Sequence, residues 1–282
     1  MKDRAFAKIN LSLDVVKKRD DGYHELEMIM IPIEFYDIVE INCHEKMEFT
    51  SNSKYLPHTT EGNTVLKAIQ EIKKRYQINQ NFSVNITKHI PTRAGLGGGS
   101  ADAAAAIRIL DKLLHLQLTL SEKIDIAKSV GADVPFCIAN KSALVKGIGE
   151  NLEYIDVKEK FFILLVKPKK GISTKIAFQK LDFTKCDHPN CEQIKTYLET
   201  GNYEELSLSL KNSLEQPSIA MVNEISQIKN DLLELGFDAA LMSGSGSTVF
   251  GITKNQQILD EGTKIMLEKK YFVRKTKILS KK

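Results

Sequence analysis

The sequence contains no apolar run long enough to cross a membrane as a helix. Such a helix needs roughly 18 consecutive apolar residues, and the longest run, Phe161 to Val166, has the length of a buried strand. The N-terminal residues also lack the apolar stretch and small-residue cleavage site of a secretion signal. We therefore predict a cytoplasmic protein without membrane partners.

An excess of one charge is also absent, and cysteine is scarce. Lys and Arg number 40 against 36 Asp and Glu, and the net charge of +4 is spread along the chain, so composition does not favour nucleic acid binding. Four cysteines in 282 residues predict free thiols in a reducing compartment, with Cys137 a small buried residue. The segment from Cys186 through His188 to Cys191 is either a metal-binding loop or an ordinary one, since no second pair has zinc-ribbon spacing.

The remaining composition is that of a globular chain. Of its 282 residues, 42% are hydrophobic and 27% are charged, which allows one large domain or two that share a cleft. Strand and helix patterns come partly in runs. This order favours an α+β fold with two lobes, 1–152 and 153–282, over a doubly wound sheet.

Alternating residues predict that the chain begins with strands. From Ala5 to Val15 every second residue is apolar, which leaves Lys8 and Asn10 on the opposite face, where a solvated surface is the simplest interpretation. Further short strands are predicted at 28–35, 38–43 and 47–50. Pro32 indicates an edge or a bulge in the first of these, because proline has no N–H to donate.

Later segments mix the two periodicities. Helices are predicted at 63–76, 101–116, 121–130, 191–210, 217–235 and 256–268, with another start at Ser173-Thr174. Strands are predicted at 82–86, 142–146, 161–166, 239–242, 248–252 and 272–278.

The strongest local motif is the glycine-rich segment 91–100, which lies between a predicted strand and a predicted helix. Four glycines in five positions let the backbone N–H groups approach a bulky anion, and the helix behind adds donors and a partial positive charge. The chain has no Gly-x-x-x-x-Gly-Lys-Ser/Thr motif, and Ser100 stands where a dinucleotide-binding motif needs its last glycine. A phosphate site and a flexible turn both remain open on the motif alone.

Other polar residues are candidates only in combination. Asp133 follows a Gly-Ala pair in a tight turn before a predicted strand, where aspartate often just bonds nearby backbone N–H groups. Tyr23 and His24 could bind a planar ligand, or they could simply pack at the start of a strand. The segment 243–247, Ser-Gly-Ser-Gly-Ser, offers backbone donors or forms a plain turn.

Taken in order, these blocks resemble the GHMP kinases, the superfamily of galactokinase, homoserine kinase, mevalonate kinase and phosphomevalonate kinase. Five blocks carry the resemblance, at 7–11, 21–24, 95–101, 131–136 and 241–247, and they read Ala-Lys-Ile-Asn-Leu, Asp-Gly-Tyr-His, Gly-Leu-Gly-Gly-Gly-Ser-Ala, Gly-Ala-Asp-Val-Pro-Phe and Leu-Met-Ser-Gly-Ser-Gly-Ser. Within the superfamily they are most similar to the branch that phosphorylates a cytidine diphosphate-linked methylerythritol in non-mevalonate isoprenoid synthesis.

The resemblance implies an N-terminal ATP-binding lobe of ribosomal-protein-like fold, a C-terminal lobe with a ferredoxin-like sheet, and a substrate cleft between them. It assigns Lys8 and Asp133 as the catalytic pair. It assigns the ATP contacts to Asn63, Lys88, Pro91, Thr92, Arg93, Ala94, Gly95, Leu96, Gly97, Gly98, Gly99, Ser100 and Ala101. Around the substrate it places Asn10, Tyr23, His24 and Thr174, with Tyr23 stacking on the cytosine and His24 bonding its edge.

These roles imply phosphoryl transfer from ATP to an alcohol. Asp133 would accept the proton of the tertiary hydroxyl, while Lys8 would favour the ionised carboxylate and steer the reacting groups. Loop N–H groups and Mg²⁺ would neutralise charge on the γ-phosphate, with Ser100 as the protein contact to the metal. The expected ligands are ATP and the cytidine-linked substrate, without nucleic acid, in a monomer or homodimer.

The sequence departs from the family pattern at a few positions. Ile148 stands where the family usually has arginine, and Thr92 and Arg93 are bulkier than the residues common there. The alternatives are a kinase for another small alcohol, such as mevalonate or homoserine, and a non-catalytic nucleotide-binding regulator. The Tyr23-His24 element argues against the first alternative, and retention of both catalytic-pair residues argues against the second.

Overall fold

The computed structural model describes residues 1–280, which form two compact units built from interleaved segments. The first unit comprises Met1–Lys8, Phe35–Thr92 and Gly97–Asn140, and the second comprises Ile9–Glu34, Arg93–Leu96 and the chain from Lys141 onward. The early strands contribute to both units. This grouping does not test the predicted lobe division at residue 152, which stays a prediction.

Strands and helices are mixed along the described chain, as an α+β fold requires. The strands are β1 (Lys2–Lys18), β2 (His24–His44), β3 (Glu48–Ser51), β4 (Asn81–Thr87), β5 (Ala143–Gly147), β6 (Asn151–Tyr154), β7 (Phe162–Lys167), β8 (Ala239–Met242), β9 (Val249–Thr253) and β10 (Phe272–Lys277). The helices are α1 (Thr64–Arg75), α2 (Gly98–Leu113), α3 (Leu120–Val130), α4 (Val134–Ala139), α5 (Thr174–Gln179), α6 (Cys191–Thr200), α7 (Tyr203–Ser209), α8 (Glu215–Met221), α9 (Glu224–Glu234) and α10 (Gln256–Glu268). No helix among residues 1–280 is both long and apolar enough to cross a membrane.

The first unit packs four helices, α1 to α4, with the later half of β2 and with β3 and β4. Strand β4 pairs with β2 in antiparallel register, from Ile38 opposite Thr87 to His44 opposite Asn81, and β3 runs parallel to β4 on its other side. Helix α3 begins at a capping box in which Thr119 and Glu122 bond each other's backbone N–H groups. The buried stripe of α1 follows its sequence periodicity.

The second unit contains a four-stranded antiparallel sheet in the order β10-β7-β9-β8. Numbered along the chain, these strands lie in the order 4-1-3-2, which is that of a ferredoxin-like sheet and confirms the prediction for this part. The earlier half of β2 pairs with β5, and β5 pairs with β6.

Two predictions about the early strands were wrong. The strands predicted at 28–35 and 38–43 are one continuous strand, β2, which passes through Pro32. Pro32 is tolerated in β2 because it lies between two paired stretches: pairing with β5 ends at Met30, and pairing with β4 starts at Ile38. Strand β1 is buried on both faces at its centre, where Lys8, Asn10 and Ser12 are no more than 4% exposed, so the expected solvated face is not present there.

Helix predictions failed where helices end or begin through local caps. The long helices expected at 191–210 and 217–235 are four short ones, and α6 ends at Gly201 in the left-handed conformation, with φ of 77°. Helix α2 begins at Gly98, three residues before the predicted start. Asp133 precedes the short helix α4 and not the predicted strand. Pro135 is compatible with this helix because it lies in the first turn, where the N–H that proline lacks would have no partner within the helix.

Candidate active site

The glycine-rich segment joins β4 to α2 and ends in an uncapped helix start. Gly97 is the N-cap of α2 in the left-handed conformation, with φ of 66°, and it has no side chain to cap the helix. The N–H groups of the first turn have no partner within the helix, and the helix dipole makes them attractive to an anion. The last residues of the segment therefore present an uncapped helix start, and binding of phosphate there stays a prediction.

Lys8 and Asp133 meet beside this helix start. Lys8 Nζ lies 3.5 Å from Asp133 Oδ2, with exposed side-chain fractions of 6% and 32%. A Cβ on Gly97 would lie 3.0 Å from Lys8 Cγ and 3.2 Å from its Cε, so the lysine stem packs directly against the glycine backbone. The structure thus brings together three elements, Lys8, Gly97 and Asp133, that are far apart in the sequence.

The side chain of Asp133 does not cap the helix that follows it. Asp133 has helical φ and ψ, its carbonyl accepts from the N–H of Cys137 at 3.2 Å, and its carboxylate does not cap α4. The simple turn-forming role considered for this aspartate is therefore not what the structure contains. Cys137 is 1% exposed, and burial raises the pKa of its thiol to about 12, with Asp133 as a secondary cause, so it is an inert packing residue.

Asn63 and Lys88 have structural partners within the first unit. Asn63 is the N-cap of α1, with its side-chain oxygen accepting from the N–H of Val65 at 3.0 Å and its amide donating to the carbonyl of Pro57 at 2.9 Å. Lys88 donates to Asp37 and, at 2.6 Å, to Asp102. Their predicted contacts with the nucleotide stay predictions, and both side chains are already held in place.

Within the second unit, Asn10 and Thr174 are anchored to the turn at 243–247. The N–H of Asn10 donates to Ser243 Oγ at 3.2 Å, and Asn10 itself is fully buried. Thr174 Oγ1 and Ser245 Oγ share a hydrogen bond of 2.8 Å. The serine side chains of this turn are buried, so it is more than a solvent-exposed connection between strands.

Gly95 approaches the same turn so closely that no side chain fits. Its φ is +73°, and a Cβ there would overlap the carbonyl oxygen of Ser243. Ser243 Oγ donates to the carbonyl of Gly95 at 3.0 Å, and the N–H of Thr248 donates to that of Ala94 at 3.2 Å. The predicted loop and the late Ser-Gly turn are thus bonded to each other.

Replacement of Gly95 by alanine is expected to destabilise the protein by more than ~2 kcal/mol, because both the positive φ and the overlap with a backbone oxygen oppose a Cβ. Thermal unfolding monitored by circular dichroism measures the loss. Gly22→Ala is the matched control, since Gly22 has a φ of +85° but nothing within 4 Å of the place that a Cβ would occupy. Equal losses in the two variants would contradict a role for close packing at Gly95.

Tyr23 and His24 begin an aromatic surface in the second unit. Tyr23 is 60% exposed, and the His24 ring stacks on Phe178 with centroids 4.8 Å apart and an angle of 28°. Phe183 lies on the same ring at 6.3 Å. Burial lowers the pKa of His24 below its usual 6.5, and Lys18 lowers it further, so the imidazole is neutral at neutral pH and can both donate and accept.

Phe178 and Phe183 were missed by the sequence reasoning. They lie beyond the predicted helix start at Ser173-Thr174, in a stretch where neither helical nor strand periodicity singles out an aromatic residue. The available signal was two aromatic residues five positions apart, Phe178 in α5 and Phe183 in the polar segment that follows it. The structure extends the planar surface at His24 with these rings.

In the segment from Cys186 to Cys191, the side chains that could bind a metal are engaged in hydrogen bonds. Cys186 Sγ lies 3.4 Å from His188 Nε2, His188 Nδ1 lies 2.7 Å from Asp14 Oδ1, and Cys191 Sγ donates to the carbonyl of Glu27. Within residues 1–280 no three His, Cys, Asp or Glu side chains are grouped so that they could hold a metal ion. Burial, followed by the charge of Asp14, raises the pKa of Cys186, which keeps it a thiol at neutral pH.

The departures from the family pattern lie in the turn between β5 and β6 and in the glycine-rich segment. Ile148 is half-buried between β5 and β6, and its N–H donates to Glu150 Oε2 at 2.8 Å. Arg93 adopts a positive φ of 51°, which is uncommon for a residue with a side chain. Nothing in the structure explains the replacement of the usual arginine by Ile148.

Known families match most of the chain. The model for "GHMP kinases N terminal domain" matches residues 63–141, and that for "GHMP kinases C terminal" matches residues 194–270. A 4-diphosphocytidyl-2-C-methyl-D-erythritol kinase of Bacillus pumilus is 42% identical over 252 residues, covering 89% of this chain and 87% of the relative. Its counterpart of Bacillus cytotoxicus is 38% identical over 276 residues, covering 96% and 95%.

Solved structures give the same result. A crystal structure of 4-(cytidine 5'-diphospho)-2C-methyl-D-erythritol kinase matches with a TM-score of 0.83 at 26% identity, and the match covers all of both chains. Homoserine kinase from Cytophaga hutchinsonii matches with a TM-score of 0.75 over 97% of this chain and 94% of that one, but at 16% identity it shows a shared fold alone. On the strength of the sequence relatives and both family models, the chain belongs to the 4-diphosphocytidyl-2-C-methyl-D-erythritol kinases, within the GHMP kinases.

Proposed function

We propose that this kinase transfers the γ-phosphoryl group of ATP to the 2-hydroxyl of 4-diphosphocytidyl-2-C-methyl-D-erythritol, giving the 2-phosphate and ADP in non-mevalonate isoprenoid synthesis. The observation that carries the proposal is the Lys8–Asp133 pair, 3.5 Å apart and packed against Gly97 at the uncapped start of α2. The identity to relatives that bear this kinase name supports the choice of substrate.

In the proposed reaction Asp133 accepts the proton of the attacking hydroxyl. Its carboxylate is partly exposed, so an alcohol can approach it, and the buried ammonium of Lys8 lies beside it. A carboxylate is a weak base for an alcohol, but in a loose transition state the bond to ADP breaks ahead of proton removal. Lys8 then stabilises the charge on the transferring group.

The N–H groups at the start of α2 would bind the ATP phosphates, and the side-chain groups of the segment Pro91–Ala101 that could add to them are the guanidinium of Arg93 and two hydroxyl groups. Its side chains with hydroxyl groups are those of Thr92 and Ser100, and Ser100 lies in the first turn of α2. Mg²⁺ in kinases is held mainly by phosphate oxygens and water with one or two protein oxygens, which fits this sparse donor set. The ion would neutralise phosphate charge, with Ser100 as its proposed protein ligand.

The cytidine end of the substrate would bind at the aromatic surface of the second unit. The exposed ring of Tyr23 offers a face for stacking on cytosine, while neutral His24 can exchange hydrogen bonds with the edge of the base. Asn10 and Thr174, both anchored to the turn at 243–247, are the proposed polar contacts to the rest of the substrate. These roles follow the family resemblance.

Incubation of the purified protein with ATP, Mg²⁺ and the cytidine-linked substrate tests the function. We expect ADP release together with a product whose mass is increased by one phosphoryl group. Mevalonate and homoserine, offered separately in place of the substrate, are the matched acceptors and should give no product. Turnover of either one alone, or nucleotide binding without any turnover, would replace the proposal by the related-kinase or the regulator alternative.

The Tyr23→Ala variant tests the cytosine site. Loss of one aromatic–base stack, worth about 1–3 kcal/mol, should raise KM for the cytidine-linked substrate roughly 5- to 100-fold and leave KM for ATP unchanged. Steady-state kinetics with each substrate varied in turn measures both constants. Tyr55→Ala is the control, since Tyr55 is 70% exposed in the first unit, and equal KM values in the two variants would remove Tyr23 from the site.

Three further expectations remain proposals: a cytoplasmic location, a lobe division near residue 152, and a monomer or homodimer without nucleic acid or membrane partners. Light scattering during size-exclusion chromatography distinguishes the two oligomeric states.

A further inference from the structure

A buried cluster of three charged side chains lies directly behind the start of α2. Asp37 and Asp102 are 0% and 1% exposed, and the Lys88 side chain between them is 6% exposed. The lysine ammonium donates to both carboxylates, at 2.6 Å in the case of Asp102. The three residues come from β2, from the residue after β4, and from α2, so this buried ion cluster ties three elements of the first unit together.

Asp37 also holds the chain that leaves β4. Its Oδ1 accepts from the N–H of His89 at 2.5 Å and from that of Ile90 at 2.8 Å. Lys88 itself is held through its backbone, since its N–H donates to Asn52 Oδ1 at 2.7 Å. The residues that precede the glycine-rich segment are therefore fixed by hydrogen bonds to a buried carboxylate.

The far end of the segment rests on the same cluster. A Cβ on Gly98, the first residue of α2, would lie 3.4 Å from Lys88 Nζ and 3.0 Å from Ile90 Cγ2. Asp102 follows one turn later on the same helix and accepts a hydrogen bond from the Lys88 ammonium. The ion cluster thus contacts the chain just before the glycine-rich segment and again at the first turn of α2.

The charges of the cluster indicate positioning and not direct attraction of phosphate. Two carboxyl groups share one ammonium, so little positive charge remains for an anion. Burial raises the pKa of Asp102, and the neighbouring Asp37 adds to the rise while Lys88 opposes it. Burial alone would lower the pKa of Lys88, but the carboxylates of Asp102 and Asp37 outweigh it and raise that pKa. Asp102 Oδ1 has no hydrogen-bond partner among the described residues, so this carboxyl group is held through the bond that Lys88 donates to Oδ2.

We propose that Asp37, Lys88 and Asp102 are positioning residues that hold the first turn of α2 in the conformation that binds ATP phosphates. The inference rests on the proposed kinase function. Lys88 acts through the backbone that it supports, and the two aspartates determine where its ammonium lies. A displacement of about 1 Å at such a turn is enough to cost on the order of 100-fold in a reaction that depends on position.

Binding of a non-hydrolysable ATP analogue to Asp102 variants, measured by calorimetry, tests the proposal. Asp102→Ala leaves Lys88 with one carboxylate and should weaken nucleotide binding about 10- to 100-fold, whereas Asp102→Asn keeps an oxygen for Lys88 and should stay within about 3-fold of the wild type. The Kd of the cytidine-linked substrate, measured without nucleotide, should not change in either variant. Amide hydrogen exchange at Gly97–Ala101 should accelerate in Asp102→Ala alone.

Asp111→Ala is the matched control. Asp111 lies on the same helix, is 8% exposed, pairs with Lys123 at 2.7 Å and accepts from the N–H of Leu118, but it is remote along α2 from the first turn. It should lower stability without a selective loss of nucleotide affinity. Wild-type nucleotide affinity in folded Asp102→Ala, or parallel losses of nucleotide and substrate affinity in both alanine variants, would overturn the proposal.

A combined replacement keeps the test decisive if Asp102→Ala does not fold. Asp37→Asn, Lys88→Met and Asp102→Leu together leave no buried charge in the cluster, and the amide oxygen at position 37 can still accept from the N–H groups of His89 and Ile90. Weaker nucleotide binding by this folded variant is expected, and unchanged binding would overturn the positioning role. These assays measure binding and do not depend on turnover. Absence of kinase activity in the wild-type protein would therefore contradict the proposed function without contradicting the role of the ion cluster.

Discussion

Asp133→Asn is expected to lower kcat by about 1,000-fold, which corresponds to about 4 kcal/mol of transition-state stabilisation. The amide keeps the size of the carboxyl group but cannot accept the hydroxyl proton. ATP affinity should be nearly unchanged, because the carboxylate pairs with Lys8 and is not part of the helix start that would bind the phosphates. Single-turnover kinetics with saturating ATP measures the chemical step directly.

Asp125→Asn is the control for this prediction. Asp125 belongs to the same unit, its side chain is 58% exposed and it forms a surface pair with Lys128, so its replacement should leave kcat within about 2-fold. A turnover number near that of the wild type in Asp133→Asn would remove Asp133 as the base. A loss confined to KM for ATP would assign it to nucleotide binding.

Lys8→Met should lower kcat by about 100- to 1,000-fold, the usual cost of removing one group that stabilises developing charge. Methionine retains most of the unbranched stem that packs against Gly97, so the charge is lost while the packing is largely kept. The ammonium of Lys8 is buried, which makes its interaction with Asp133 stronger than that of a surface pair. The same kinetic assay, with a thermal unfolding measurement, separates catalysis from stability.

Lys67→Met provides the matched comparison for Lys8. Lys67 is a lysine of the first unit on α1 whose ammonium donates to the carbonyl of Val130 at 3.0 Å, so its loss removes a structural hydrogen bond and no proposed catalytic group. A similar loss of kcat in both methionine variants would contradict a specific role for Lys8. If Lys8 and Asp133 act as a unit, the double variant should be little slower than Asp133→Asn.

Elements encoded by short-range patterns were predicted to within a few residues. The strand at the chain start, the strand, loop and helix around the glycine-rich segment, and the last four elements from β8 to β10 all appear as expected. Periodicity and glycine content determine the local conformation through residues that are close together in the sequence. For the same reason, a helix directly behind the glycine-rich segment could be predicted, although it begins at Gly98, three residues before the predicted start.

Elements that depend on partners elsewhere in the chain could not be predicted in this way. The continuity of β2 through Pro32 depends on where β4 and β5 begin and end their pairing. The stacking of Phe178 on His24 and the exact ends of α6 to α9 likewise depend on neighbours that periodicity does not contain. Lys88 finds its carboxylates 51 and 14 positions away, at Asp37 and Asp102.

The sequence by itself determined the α+β class, the glycine-rich segment between a strand and a helix and, through five short blocks, the kinase family. These properties depend on local conformational preferences and on residue order. Only the tertiary structure decided that Lys8 is buried beside Asp133, that Asn63 caps α1, and that an ion cluster supports the start of α2. The physical reason is that burial and charge pairing are set by whatever the fold packs against a side chain, and a pattern of neighbouring residues does not specify that partner.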